Sequence, residues 1–166
     1  YPDFRSSERA FNMLEQVAGR AGRRAGEPGK VMIQTYTPQH PVISFVKAHD
    51  YEGFFAHELE QRRQFCYPPF SRVINIYLKH RDRAVVDRVA REYAAMLRGS
   101  LGNRVNGPIE PPVARVASLY IRQIMLRIET EASIRAVKDI LRQAYIALNA
   151  SPVKTGVTLH YDVDPV

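Results

Sequence analysis

Gln16, Gly19, Arg20 and Arg23 set out the pattern Q-x-x-G-R-x-x-R inside the stretch QVAGRAGR. An arginine is always charged, and its planar fork matches the oxygens of a phosphate. Two arginines at i and i+3 share one face of a helix and can reach the same anion. An arginine presented to a transferring phosphoryl group raises the rate by about 10³–10⁵-fold. Gln16 lies one turn before Arg20, and the small Gly19 and Gly22 leave room for close approach. The chemistry this suits is a grip on the end phosphate of a nucleotide. The same residues also suit an ordinary basic helix end, where arginine complements the helix dipole. Spacing alone leaves both readings open.

A second set of residues could hold nucleic acid. Alternation along the chain puts Asn75, Tyr77, Lys79, Gln123, Arg127 and His160 on the outer face of a sheet. Basic and aromatic groups on a sheet hold phosphates and stack bases, although such residues also populate ordinary solvated faces. Arg115, Tyr120 and Arg122 form another basic–aromatic group near a strand start. The aromatic signature of RNA-recognition sheets is missing. Tyr67-Pro68-Pro69-Phe70 resembles a proline-rich ligand, but it serves equally to stop a helix and plug the entry to a strand. Glu58, Glu60, Arg62 and Arg63 read as a solvated helix face, and Asp162 and Asp164 as surface or capping residues.

These groups sit in a chain of 166 residues with a net charge of +7. That length buries one good core and a smaller appendage. The charge suits a polyanionic partner without saying anything of fold. One cysteine, Cys66, excludes an internal disulfide and any multi-cysteine metal site, and suits a reducing cytoplasm. No apolar run is long enough to cross a membrane, and no signal peptide is visible. The chain opens Tyr1-Pro2-Asp3-Phe4-Arg5, which reads as the middle of a longer protein.

The elements that must position the candidates follow from periodicity. A helix is predicted from about Ser7 to Arg23, with Phe11, Leu14, Ala18 and Ala21 inward and the Gln16–Arg23 set outward. Lys30 to Tyr36 alternates as a strand. A short helix to about His49 and a strongly amphipathic one over roughly Tyr51–Phe65 follow. Ser71–His80 reads as a strand, and Asp82 caps a helix to about Arg98. The stripe of that helix is Val85, Val86, Val89, Ala90, Tyr93, Met96 and Leu97. Arg104–Ser118 reads as an irregular strand pair or as one proline-broken strand, and Tyr120–Glu129 as a strand. Thr130 is expected to cap the next helix, and Thr155–Val163 is the last strand. From Ser71 the order is β-α-β-β-α-β. The fold class is α+β, a ferredoxin-like split βαβ.

The wording of whole segments adds a resemblance. Q-x-x-G-R-x-x-R is similar to motif VI of superfamily 2 helicases. PDFRSSERAFNMLEQVAGRAGR, GKVMIQTYTP, HDYEGFFAHELEQRRQFCYPPFSRVINI, VARVASLYIRQIMLRIE and the closing YDVDP, in that order, resemble the C-terminal part of the primosomal protein N′ (PriA) family of replication-restart DNA helicases. The resemblance implies that residues 1–49 are the tail of the second RecA-like motor lobe. Residues 50–70 would then be a connecting helix and linker, and 71–166 a ferredoxin-like C-terminal domain. It implies motif VI roles for Gln16, Gly19, Arg20 and Arg23, with Arg23 the arginine finger. It implies ATP and Mg²⁺ as ligands of the parent protein, and zinc in a cysteine-rich insertion that is not in this stretch. DNA, single-stranded DNA-binding protein and other primosome proteins are the implied partners. No phosphate-cradling G-x-x-x-x-G-K-[ST] loop and no acidic DExH box stand in this sequence. The piece alone is therefore expected to bind DNA without hydrolysing ATP. Docking the acidic tail of single-stranded DNA-binding protein is the alternative.

Overall fold

The computed structural model describes residues 3–21, 29–152 and 156–165. The chain divides into two compact units, one ending at Phe65 and the other beginning at Cys66.

The first unit holds three helices: α1 (Ser6–Ala21), α2 (Pro41–Ala48) and α3 (Tyr51–Gln64). Each start has a local cause. Pro41 needs no N–H partner at the first turn of α2, and His40 Nδ1 accepts from Val42 N–H at 3.3 Å. The Asp50 carboxylate accepts from Gly53 N–H at 2.8 Å at the start of α3. The buried residues described here are Phe11, Val42, Val46 and Phe54. Phe11 and Phe54 lie face to face with ring centroids 4.2 Å apart. Arg62, expected on a solvated face, instead pairs with Glu8 at 2.6 Å and lies beside Glu58. The amphipathic pattern of α3 is only partly used, because Tyr51 and Phe55 remain exposed.

The strand expected over Lys30–Tyr36 is absent. These residues form no ladder, and Met32 and Tyr36 are fully exposed. A strand is completed by a neighbour that takes its N–H and C=O groups. None of the described residues offers one, so the alternation is present without the element.

The second unit is built as the periodicity implies. It holds β1 (Ser71–His80), α4 (Arg83–Leu101), β2 (Val105–Ile109), β3 (Arg115–Val116), β4 (Leu119–Glu129), α5 (Ile134–Ala150) and β5 (Thr158–Val163). The sheet runs β2-β4-β1-β5, with β3 paired to β4, and its pairings are antiparallel. That order is the split βαβ arrangement. Ile74, Ile76 and Leu78 of β1 and Ile124, Leu126 and Ile128 of β4 meet Val86, Val89, Ala90 and Leu97 of α4 in one core. α5 adds Val137, Leu141 and Leu148. Tyr145, expected inward on α5, stays substantially exposed. Tyr93 is completely buried, and its hydroxyl lies 2.6 Å from that of Tyr161. Burial first, and then this neighbour, pushes the Tyr93 phenol far above its ordinary range.

Caps close the helices. Asp82 accepts from Ala84 N–H at 2.7 Å and from Val85 N–H at 3.3 Å, as its sequence position predicts. The cap of α5 is Ser133 and not Thr130. The reason is a turn in which Ala132 N–H donates to Glu129 C=O, so the chain reverses before the helix begins. Gly107, at φ +97°, is required by a close approach: a Cβ there would lie 2.8 Å from the carbonyl oxygen of Gln123.

The turn between β3 and β4 places Ala117 (φ 47°) and Ser118 (φ 66°) both at positive φ. Two such residues in a two-residue hairpin mark a type I′ geometry, which favours Asn-Gly. Ala117→Asn combined with Ser118→Gly is expected to raise stability by about 1 kcal/mol, read as a higher denaturant midpoint at unchanged slope. Tyr93→Phe leaves the half-buried Tyr161 hydroxyl without its partner. A loss of about 1–2 kcal/mol in urea unfolding is expected, and an unchanged midpoint would show that the pair contributes nothing.

Candidate functional site

α1 buries Phe11 and half-buries Leu14 and Ala18, which turns Gln16, Gly19 and Arg20 to solvent. Arg20 has no carboxylate partner among the described residues. A Cβ added at Gly19 would meet no atom within 4 Å. The glycine is therefore not there to satisfy packing within its own unit, and the surface above it is open to a ligand or to another protein surface. Arg23 lies outside the described residues.

The second unit gathers charge at one end of its sheet, where β1 finishes and β4 begins. His80 stands opposite Tyr120, Lys79 opposite Ile121, and Leu78 opposite Arg122. Arg115 of β3 is opposite Tyr120 in turn, with its guanidinium 4.9 Å from the ring centre. The expected Arg115–Tyr120 grouping is thus formed. Arg122 has a different position from the one expected. It lies on the same face as Ile124 and Leu126 and is 6 % exposed. Its Nε donates to Asp87 of α4, one terminal nitrogen is 3.2 Å from Glu110, and it also donates to Ile121 C=O at 2.8 Å. Arg83 approaches both carboxylates, Glu110 at 3.4 Å and Asp87 at 3.9 Å. A buried guanidinium is tolerated only when its charge and donors are met. Arg122 therefore acts as a brace joining β4, α4 and the segment before β3, and its cation is not offered outward.

With Asp87 and Glu110 occupied by Arg122 and Arg83, Lys79, Arg81 and Arg115 have no carboxylate partner among the described residues. Arg81 is exposed and directly follows β1. Sequence reading passed over it because it falls in a connection. The strand register places it at the same end of the sheet as Arg115, on the other side of β4.

The far face of the sheet is not the solvated polar surface that alternation suggests. Asn75 and Gln123 are buried at 7 % and 6 % exposure. Val73, Ile121 and Met125 share that face in the register and are buried as well. Strands bounded by apolar residues on both sides give a half-apolar second face. Tyr77 is half-buried there. Burial raises its phenol above the ordinary range, the nearby Asp162 carboxylate adds to this, and a hydrogen bond from Asn75 works against it. Lys79 is half-buried and His160 exposed. Arg127 stacks its guanidinium 5.6 Å from the Tyr67 ring centre and donates to Asn106 Oδ1 at 3.0 Å, so it ties the linker to the sheet. Asp164 takes a structural part: its carboxylate accepts from Val73 N–H at 3.2 Å.

A groove of about 450 Å³ runs between α5 and the β1–β5 side of the sheet. Ile74, Val137 and Leu141 wall it, and Arg72, Lys138 and Arg142 stand at its rim. Among the described residues no helix is long and apolar enough to cross a membrane.

Residues 63–166 match the family described as primosomal protein N C-terminal domain. Relatives named replication restart protein PriA align along the chain. That of Treponema pallidum is 40 % identical over 99 % of this chain and 24 % of its own length. That of Bacillus subtilis is 38 % identical over 87 % of this chain and 18 % of its own. That of Synechocystis is 36 % identical over 100 % of this chain and 19 % of its own. The chain thus spans between 18 % and 24 % of the length of these three relatives. On the match over its last 104 residues and on these relatives, this chain belongs to the PriA C-terminal domain family.

Proposed function

We propose that this chain is the C-terminal part of an ATP-dependent 3′–5′ DNA helicase that recognises stalled replication forks and restarts replication through primosome assembly. The relatives' name, replication restart protein PriA, supports the role. The open Gln16–Gly19–Arg20 face of α1 supports the motor part of it: Arg20 has no carboxylate partner among the described residues, and a Cβ at Gly19 would meet nothing within 4 Å. Arg20 and Arg23 would meet the γ-phosphate of ATP and Mg²⁺ held on a lobe outside this chain, and zinc would belong to an insertion likewise outside it. An arginine placed in this way stabilises the charge that develops on the transferring phosphoryl group. In the full-length protein Arg23→Ala is expected to abolish ATP hydrolysis while DNA binding persists. Lost DNA binding with normal hydrolysis would show that the arginine is misassigned.

The chain itself is proposed to bind DNA, forked and single-stranded, with little sequence preference. The observation that carries this is the set Lys79, Arg81 and Arg115, three cations without a carboxylate partner among the described residues at one end of the sheet, Arg115 on the face of Tyr120 and Lys79 on the opposite one. Cations of this kind displace condensed counterions from the phosphate backbone. Replacing all three by Ala is expected to flatten the plot of log K against log salt by about 2.7 on duplex DNA, at about 0.9 per phosphate contact. An unaltered slope would place the DNA on another surface.

A second reading is favoured by the groove beside α5. Its apolar wall and basic rim suit a short acidic tail with apolar residues, such as that of single-stranded DNA-binding protein, and Lys138 has no carboxylate partner among the described residues. If Lys138→Glu weakens an acidic peptide and leaves DNA affinity intact, the groove is the peptide's site. If a saturating peptide displaces DNA, the two share a surface and the groove reading falls.

A further inference from the structure

We propose that the hairpin of β3 and the first residues of β4 is a wedge that enters DNA where duplex gives way to single strand. The inference rests on the reading that the chain binds DNA and goes beyond it, by giving each side of one hairpin a separate task.

The hairpin has two unlike faces. Arg115 and Tyr120 pair on the side toward the helices, and Val116 and Leu119 on the other. Val116 is 51 % exposed and Val113 is 62 % exposed. Single exposed apolar residues are ordinary. These two differ because of how rigidly they are held. Pro111 is buried and Pro112 follows it, which stiffens the approach. Ala114 C=O accepts from Ile121 N–H at 2.9 Å, closing the base of the hairpin. Arg122 then fastens that base to Asp87 and Glu110. Ala117 and Ser118 keep left-handed backbone that neither residue prefers, so the tip is fixed against a local cost.

A rigid apolar tip beside uncompensated cations has the chemistry of a side chain that enters between base steps. Inserting an apolar group unstacks a base step, and phosphate contacts nearby offset that cost. The cost is smallest at a duplex end, where one stacking partner is already missing. Arg115 and Arg81 would hold the backbone while Val116 meets the terminal base pair, and the Tyr120 ring under Arg115 keeps that guanidinium aimed. Arg122 is a positioning residue and touches no DNA.

The test uses the 166-residue chain and a synthetic fork with 2-aminopurine in the base pair next to the junction. Fluorescence is read at saturating protein for each variant, so that affinity does not enter the comparison. Wild type is expected to raise the emission severalfold as the base unstacks. Val116→Ser is expected to return it to that of the free fork, and Val116→Leu to restore it. Arg115→Ala is expected to need more protein to saturate and then to give the full rise. A bound wild-type complex with no rise, or a full rise with Val116→Ser, overturns the wedge and leaves DNA binding standing. Failure of wild type to bind the fork at low salt overturns both.

Discussion

The geometry of the sheet's charged end depends on one buried cation. Arg122 sits on the core face of β4, where the register would otherwise put a leucine or an isoleucine. Taking a guanidinium out of water is costly, and removing both carboxylates would leave it uncompensated. Asp87 of α4 and Glu110 of the segment before β3 are thereby fixed relative to β4. An apolar residue could fill the same volume, but it could not specify where that segment docks. The consequence for function is electrostatic. The brace takes up Asp87 and Glu110 while Asp82 caps α4, and Lys79, Arg81 and Arg115 are left without a carboxylate partner among the described residues.

Much of the second unit was legible in the sequence. The stripe on α4 and the period-2 runs of β1 and β4 led to the right order of elements, and the sheet order follows from that order and from chain connectivity. The Asp82 cap was legible because a short acidic side chain directly precedes the stripe. What sequence reading missed has physical causes. The cap at Ser133 depends on a turn that forms only when the end of β4 is in place. The apolar second face is not visible in one strand, because Val73 lies on β1 and Ile121 and Met125 on β4, and only the register brings them onto one face. Arg122 had a signal. Tyr120, Arg122, Ile124, Leu126 and Ile128 alternate on one face, so an arginine in that series must be buried and paired, or else it ends the core.

The first unit shows the reverse case. Local signals for α1 are strong, and the helix forms with its inner and outer faces as periodicity predicts. Residues 30–36 carry strand periodicity yet remain outside any sheet among the described residues. Helices satisfy their own backbone, whereas strands require neighbours. A piece of a larger protein therefore keeps its helices more readily than its strands. On the proposed function the open Arg20 face fits the same view, because the lobe it would meet lies outside this chain.

The central claim is that the braced end of the sheet, with its hairpin, is the DNA-facing surface. Photocrosslinking tests it most directly: forks carrying 5-iodouracil at the junction are irradiated with the chain, and the attached peptide is mapped by mass spectrometry. The account predicts attachment within residues 113–120. Attachment confined to α5 or to the groove beside it, with none in that segment, would contradict it.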